Sequence, residues 1–170
     1  RRVLFRSIGP EGIFINNEGH VIVADYDNNR IQVLDKDGKF MYKFGVKGPG
    51  KLNRPSGCIY HKNKFIVSDS GNHCLKVFDK SGKFLYKIGE KGKADGQFSN
   101  PWGLCVEKYG DHQNLLVCDR NNGRIQQFTM EGRFIGKTVV KLRNPKAIAI
   151  SPDGRILICD YRDKKIHILK

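Results

Sequence analysis

Long apolar runs are missing from this 170-residue chain, and with them any stretch of about 18 apolar residues that would cross a bilayer as a helix. No signal-peptide pattern is visible either, so the sequence neither spans a membrane nor shows how the protein is targeted. Cysteines at metal-binding spacing are also absent: the five present are an odd number with no CxxC, which argues against a zinc site and for reduced thiols in an intracellular protein. Cys105, Cys118 and Cys159 lie inside apolar runs, Cys58 follows a Gly, and Cys74 stands where sister segments carry Arg, so burial is expected. Acidic residues are scarce, 17 Asp and Glu against 31 Lys and Arg, for a formal charge of +14. That excess is larger than solubility requires and makes an anionic partner such as nucleic acid the first expectation. There is no convincing helix, and no low-complexity linker divides the chain. The first residue is Arg rather than Met, and the chain is read as a portion of a longer protein.

What the chain does contain is one segment written four times. Residues 23–33, 67–77, 117–128 and 158–168 each read as a strand, a turn headed by Asp25, Asp69, Asp119 or Asp160, and a second strand. A second landmark keeps step with it: Pro10-Glu11-Gly12, Pro55-Ser56-Gly57, Pro101-Trp102-Gly103 and Pro145-Lys146-Ala147, with the prolines 45, 46 and 44 residues apart. A period of that size, with several short apolar runs per copy, marks a propeller-type array. After each proline comes an apolar strand a (13–15, 58–60, 104–106, 148–150), then a tight turn, lengthened in the third copy by residues 109–114. Strand b is almost wholly apolar, as in 115–117 and 156–158, and reads as buried on both faces. The Asp-headed turn leads to strand c, and a Gly turn to strand d (39–45, 83–89, 133–137), whose alternation suits a half-exposed edge. Residues 2–8 resemble a further strand d. The fold class is therefore all-β: a β-propeller of four-stranded antiparallel blades forming one domain over 1–170, with repeats at about 10–54, 55–100, 101–144 and 145–170. Strand 2–8 is expected to complete the last blade by pairing with its strand c, closing a ring.

The pattern Asn-x-Pro-x-Gly, apolar strand, Asp-x-x-Asn-x-Arg-Ile-Gln-Val-Phe, then Gly-x-Phe and a closing Phe/Ile-Gly resembles the NHL repeat over essentially the whole chain. The loop 89–98 running into Pro101-Trp102-Gly103 resembles the C-terminal NHL domain of TRIM-NHL proteins. The resemblance implies a ring of six blades, of which this sequence supplies four, with a closed four-blade form as the alternative. It also implies upstream RING, B-box and coiled-coil segments, with zinc expected only there and ubiquitin-ligase activity belonging to the parent protein. Several members bind RNA through the propeller and repress messages. The expected function is thus a non-catalytic, cytoplasmic binding module that recognises an RNA loop or short single strand through a basic face. The alternative is a protein-interaction propeller recruiting substrates to an attached RING E3 ligase.

In a propeller the d-to-a loops and b-to-c turns emerge on one face. That face receives Lys47, Lys51, Arg54, Lys91, Lys93, Arg120, Lys141, Arg143, Lys146, Arg162 and Lys164, with Tyr26, Phe98, Trp102 and Tyr161 among them. Lys and Arg there neutralise phosphates while aromatic side chains stack on unpaired bases, so these residues form the candidate RNA site. Trp102 either stacks on a base or shields strand a as packing. Tyr26, Arg120 and Tyr161 share the turn position after Asp, where exposure is expected. Arg30, Arg124 and Lys165, at the start of strand c, are expected to pair with the repeat aspartates as structural turns, which Asn28, Asn72 and Asn122 also form. Carboxylates so paired argue against a metal. His20, His61 and His112 fall at a-b turns on the other face, so catalysis is not expected, nor a cofactor, a metal or a small-molecule substrate. The other face also carries Lys36, Lys39, Lys80, Lys83 and Arg133.

Overall fold

The structure is a computed structural model that describes residues 6–109, 112–138 and 140–169. Four antiparallel sheets follow one another along the chain. Blade 1 is β1 (Pro10–Ile15), β2 (Val21–Asp25), β3 (Arg30–Leu34) and β4 (Phe40–Phe44). Blade 2 is β5 (Pro55–His61), β6 (Lys64–Asp69), β7 (Cys74–Asp79) and β8 (Phe84–Ile88). Blade 3 is β9 (Pro101–Tyr109), β10 (His112–Asp119), β11 (Arg124–Thr129) and β12 (Phe134–Lys137). Blade 4 has three strands among the described residues, β13 (Pro145–Ile150), β14 (Ile156–Asp160) and β15 (Lys165–Leu169). Strands pair in sequence order within every sheet. The apolar b strands β2, β6 and β10 lie in the middle and are buried on both faces, whereas β4, β8 and β12 alternate toward solvent.

The innermost strands begin at the turn prolines themselves, with a register shift just after each proline, two residues on in blades 1, 2 and 4 and by Leu104 in blade 3. The glycine of Pro-x-Gly is dictated by the neighbouring blade. A Cβ on Gly57 would stand 2.9 Å from the Trp102 carbonyl oxygen, and one on Gly103 2.5 Å from that of Lys146. Ala147 fills the same place in blade 4, where it is exposed. The blades meet through three apolar clusters. Ile31, Phe44, Leu52, Phe65 and Phe78 join blades 1 and 2; Leu75, Phe98, Leu115 and Phe128 join 2 and 3; Trp102, Leu116, Ile125, Leu142 and Ile158 join 3 and 4. Among the described residues no fourth cluster joins blade 4 to blade 1. Ile13 and Ile15 of β1 and Ile166 and Ile168 of β15 stay exposed, so the four blades form an arc and not the closed four-blade ring.

Each b-c turn is latched to the d-a loop of its own blade by a buried aspartate. Asp25 accepts the Ile8 N–H at 2.9 Å, Asp69 that of Asn53 at 2.7 Å and Asp119 that of Ser99 at 2.8 Å. Asp160 accepts from both Arg143 N–H (2.7 Å) and Asn144 N–H (2.9 Å). Backbone bonds reinforce the latch, as in Gly71 N–H to the Asn53 carbonyl and Tyr161 N–H to that of Asn144. Asn28, Asn72 and Asn122 donate to the same carboxylates. Charge compensation comes from Arg30 (2.6 Å to Asp25) and Arg124 (2.8 Å to Asp119). In blade 2, where Cys74 holds the Arg position, Lys76 two residues on reaches Asp69 at 3.0 Å.

Several expectations are corrected here. Lys165 is exposed and has no ion pair with Asp160 among the described residues; His167, two residues on, approaches that carboxylate at 3.9 Å instead. Of the strand expected at 2–8, residues 2–5 lie outside the described residues, and Arg6–Ser7–Ile8 are not strand. They form the loop whose Arg6 carbonyl accepts from Arg30 and Gln32. The third repeat's extra residues lengthen the β9–β10 hairpin itself, pairing Lys108 with Gln113 and Tyr109 with His112. Cys58, Cys74 and Cys118 are buried, but Cys159 is exposed because no described blade covers β14 on that side.

Burial alone would raise the Asp25 and Asp160 carboxyls, but their hydrogen bonds outweigh it. Ser7 and the Ile8 N–H act on Asp25, and the Arg143 and Asn144 N–H groups act on Asp160, so both pKa values fall below the ordinary 3.8. Their contribution to stability is therefore complete above that ordinary value and is lost as pH falls through the lower folded value. Urea titrations should show stability dropping on acidification below about pH 4, less steeply in Asp160→Asn. At neutral pH, Asp119→Ala should cost about 3–5 kcal/mol, because it removes at once the acceptor of the Ser99 N–H, Asn122, Gln126 and the Arg124 Nε–H.

Candidate nucleic-acid interface

The latched turns bring aromatic rings and cations into one row across the arc. The Arg54 guanidinium lies 5.9 Å from the Tyr26 ring, and Tyr26 meets Trp102 at 5.6 Å between centroids. Arg120 lies 4.4 Å and the Lys146 ammonium 4.9 Å from the Trp102 ring centre, and Lys146 is also 4.6 Å from that of Tyr161. Each such contact is worth roughly 0.5–2 kcal/mol, more where water is excluded. The row joins blades 1, 3 and 4 over blade 2 because blade 2 carries serine at both equivalent positions. Ser56 and Ser70 are buried with their hydroxyls 2.6 Å apart, so one donates to the other and the second donates to the Pro101 carbonyl, which lies within reach of both. With small side chains there, Tyr26 reaches the cluster built around Trp102.

Two expected site residues are corrected. Phe98 is 0% exposed and packs on Phe128 at 5.4 Å, so it holds its loop to the core and offers no ring to a base. It stands three residues before the turn proline, as do Leu52 and Leu142, which are also buried. That shared apolar position was legible in the sequence as a core plug. Trp102, 6% exposed, is packing and a platform for two cations; the shielding alternative is the one found. The three turn residues after Asp also differ. Tyr161 is 67% exposed, whereas Tyr26 and Arg120 are half-buried, and Arg120 is further fixed by donating to Asn144 (3.1 Å) and Asn100 (3.1 Å).

Around this fixed row stand exposed cations. Lys47, Lys51, Arg54, Lys91, Lys93, Lys141, Arg162 and Lys164 are all exposed and none forms an ion pair among the described residues. Arg143 is the exception, pairing with Asp163 at 3.1 Å. Beside Tyr161 a hollow of about 690 Å³ is lined by Lys146, Arg162, Lys164, Lys165 and Ile166. The row can therefore offer one free aromatic face, at Tyr161, next to unneutralised positive charge. The ligand atoms of Asp160, Asp163 and His167 lie within 4.8 Å of one another, the spacing a metal site would need. Both Asp160 oxygens, however, already accept backbone N–H groups and Asp163 is paired with Arg143.

Two family models match the sequence: one described as a 6-bladed beta-propeller, over residues 51–167, and one described as an NHL repeat, over residues 8–34. Among curated proteins, Protein brain tumor of Drosophila melanogaster is 29% identical over 94% of this chain and 11% of its own length. RING finger protein nhl-1 of Caenorhabditis elegans is 50% identical over 59% of this chain and 11% of its own length. The chain thus spans about a tenth of these relatives. Among solved structures, a streptogramin B lyase superposes with a TM-score of 0.74 at 20% identity, covering 98% of this chain and 53% of that one. U3-55K does so at 0.70 and 12% identity, covering 99% and 54%. These two likenesses are of fold alone. Among the described residues no helix is long and apolar enough to cross a membrane.

The burial difference along the row is measurable. Trp102→Ala should lower stability by about 3–5 kcal/mol in denaturant titrations, and Tyr161→Ala by no more than about 0.5 kcal/mol.

Proposed function

Because the chain belongs to the six-bladed β-propeller family, its blades written as NHL repeats, we propose that it is a non-catalytic binding module for RNA, taken as a loop or short single strand. One observation carries this reading: a row of cations stacked on aromatic rings ends at an exposed Tyr161 and is flanked by exposed cations that have no ion-pair partner among the described residues. Phosphates are held by Lys91, Lys93, Lys141, Arg162 and Lys164, and a base stacks on Tyr161 with Lys146 and Arg162 beside it. Arg120 and Lys146 are fixed in place before RNA arrives, which lowers the entropy lost on binding. Arg143 contributes once an RNA phosphate competes with Asp163.

In this reading the domain works without cofactor or metal, and any ligase activity belongs to a RING segment of a longer protein. The reading also takes the protein to be cytoplasmic. Burial pushes the Cys58 thiol well up, Cys74 to about 11 and Cys105 to about 12, so none is a ready thiolate.

The test is equilibrium binding to a pool of short single-stranded and hairpin RNAs across a salt series. Selected sequences should bind, and Tyr161→Ala should weaken them by about 1–3 kcal/mol. Lys91→Ala with Lys93→Ala should flatten the dependence of log K on log salt by about 1.4, two phosphate contacts on a single strand. Equal, weak binding to every RNA and to heparin would reduce the charge to a solvated surface.

A further inference from the structure

We propose that the seam between blades 2 and 3, on the face opposite the cation–aromatic row, binds a short acidic peptide segment of a protein partner. A cavity of about 610 Å³ opens there. Blade 2 contributes Lys62 and Lys64, and blade 3 contributes Arg133. None of the three is in an ion pair among the described residues. The one carboxylate on the described wall is Glu131. Its pKa is held below the ordinary value first by its own backbone N–H and Thr129, then by Lys62 and Lys64, so the cations act across the seam on a negative charge placed there. The lining is completed by apolar groups of Ile66, Val77 and Met130, with Ile135 exposed beside them.

The neighbouring seam shows that such an opening is not generic to the fold. Between blades 1 and 2 the corresponding cavity is about 270 Å³ and contains Glu18, 3.2 Å from His20. It is bridged by the Tyr42 hydroxyl, which donates to the Lys80 carbonyl at 2.8 Å. Tyr86 holds the equivalent register position, opposite Val77 as Tyr42 is opposite Val33. Its hydroxyl makes no hydrogen bond among the described residues, and its ring centre lies 5.8 Å from the Lys64 ammonium. The bridge that closes one seam is thus missing from the other, and the acid that neutralises one is replaced by lysine. His61, on the wall of the open seam, has a buried Nε2 without a hydrogen-bond partner. Burial and Lys62 push its pKa down, against Gln113, so the ring adds no positive charge to the wall.

Cations at the rim and apolar side chains in the lining suit carboxylates flanking an aliphatic side chain. A nucleic-acid backbone would use the rim and leave the apolar floor bare. The volume matches a few peptide side chains.

The probe is a fluorescein-labelled peptide, acetyl-Glu-Glu-Leu-Glu-Leu-Glu, followed by anisotropy. Lys62→Ala with Lys64→Ala should weaken binding about tenfold or more, and Glu131→Gln should tighten it roughly two- to threefold by removing the competing charge. Lys91→Ala with Lys93→Ala, on the opposite face, should change it by less than about twofold. All these side chains are exposed, so thermal midpoints should stay put. Absence of binding, or equal loss in the two lysine pairs, would overturn the proposal. Because the Lys62/Lys64 and Glu131 variants leave the opposite face intact, RNA binding is read independently in them.

Discussion

A carboxylate sealed from water has to be satisfied by what the fold brings to it, and in this protein that requirement is repeated in every blade. Asp25, Asp69, Asp119 and Asp160 are essentially unexposed, and each accepts N–H groups from the loop that enters its own blade. Loops rich in glycine and lysine would otherwise have little to hold them, since lysines repel and glycine favours no single conformation. The aspartates convert those loops into fixed supports. Everything that follows on that face, from the seating of Arg120 against Asn100 and Asn144 to the approach of Lys146 to two rings, depends on the supports being rigid.

The blades are alike in backbone and unlike in what they present, and the differences are local. Serines in blade 2 let Tyr26 of blade 1 reach Trp102 of blade 3. Tyrosines at one register position close one seam and leave the next open. One scaffold thus carries a stacked, positively charged row on one face and a cation-rimmed cavity on the other. The two surfaces are chemically separate, because one offers rings and the other an apolar floor.

The architecture was legible in the sequence because periodicity is a property of the chain itself. Proline spacing, the Asp-headed turns and the alternating d strands place the fifteen strands found among the described residues with small errors at their ends. The pairing of Arg30 and Arg124 with aspartate was legible for the same reason, since the two partners recur at a fixed separation. Burial of an individual ring was harder to read. Phe98 lies in a loop full of Lys and Gly, and only its equivalence with Leu52 and Leu142 marks it as core. Trp102 could not be placed without knowing that Arg120 and Lys146 come from two different blades. Substitution of roles was invisible too: Lys76 and His167 take over from a missing Arg by reaching from two residues further along the strand. Exposure of Ile166 and Cys159 is likewise not written in their own apolar runs, because it is set by which blade stands next to them.

In the proposed function the aspartate latches hold one face ready for RNA. Amide hydrogen exchange with and without a bound single-stranded oligonucleotide tests it most directly. Added protection is expected at the loops 47–54, 91–99 and 141–146 and at the turns after Asp119 and Asp160, with the a-b and c-d turns unchanged. Protection confined to the a-b and c-d turns, or none at all, would contradict it.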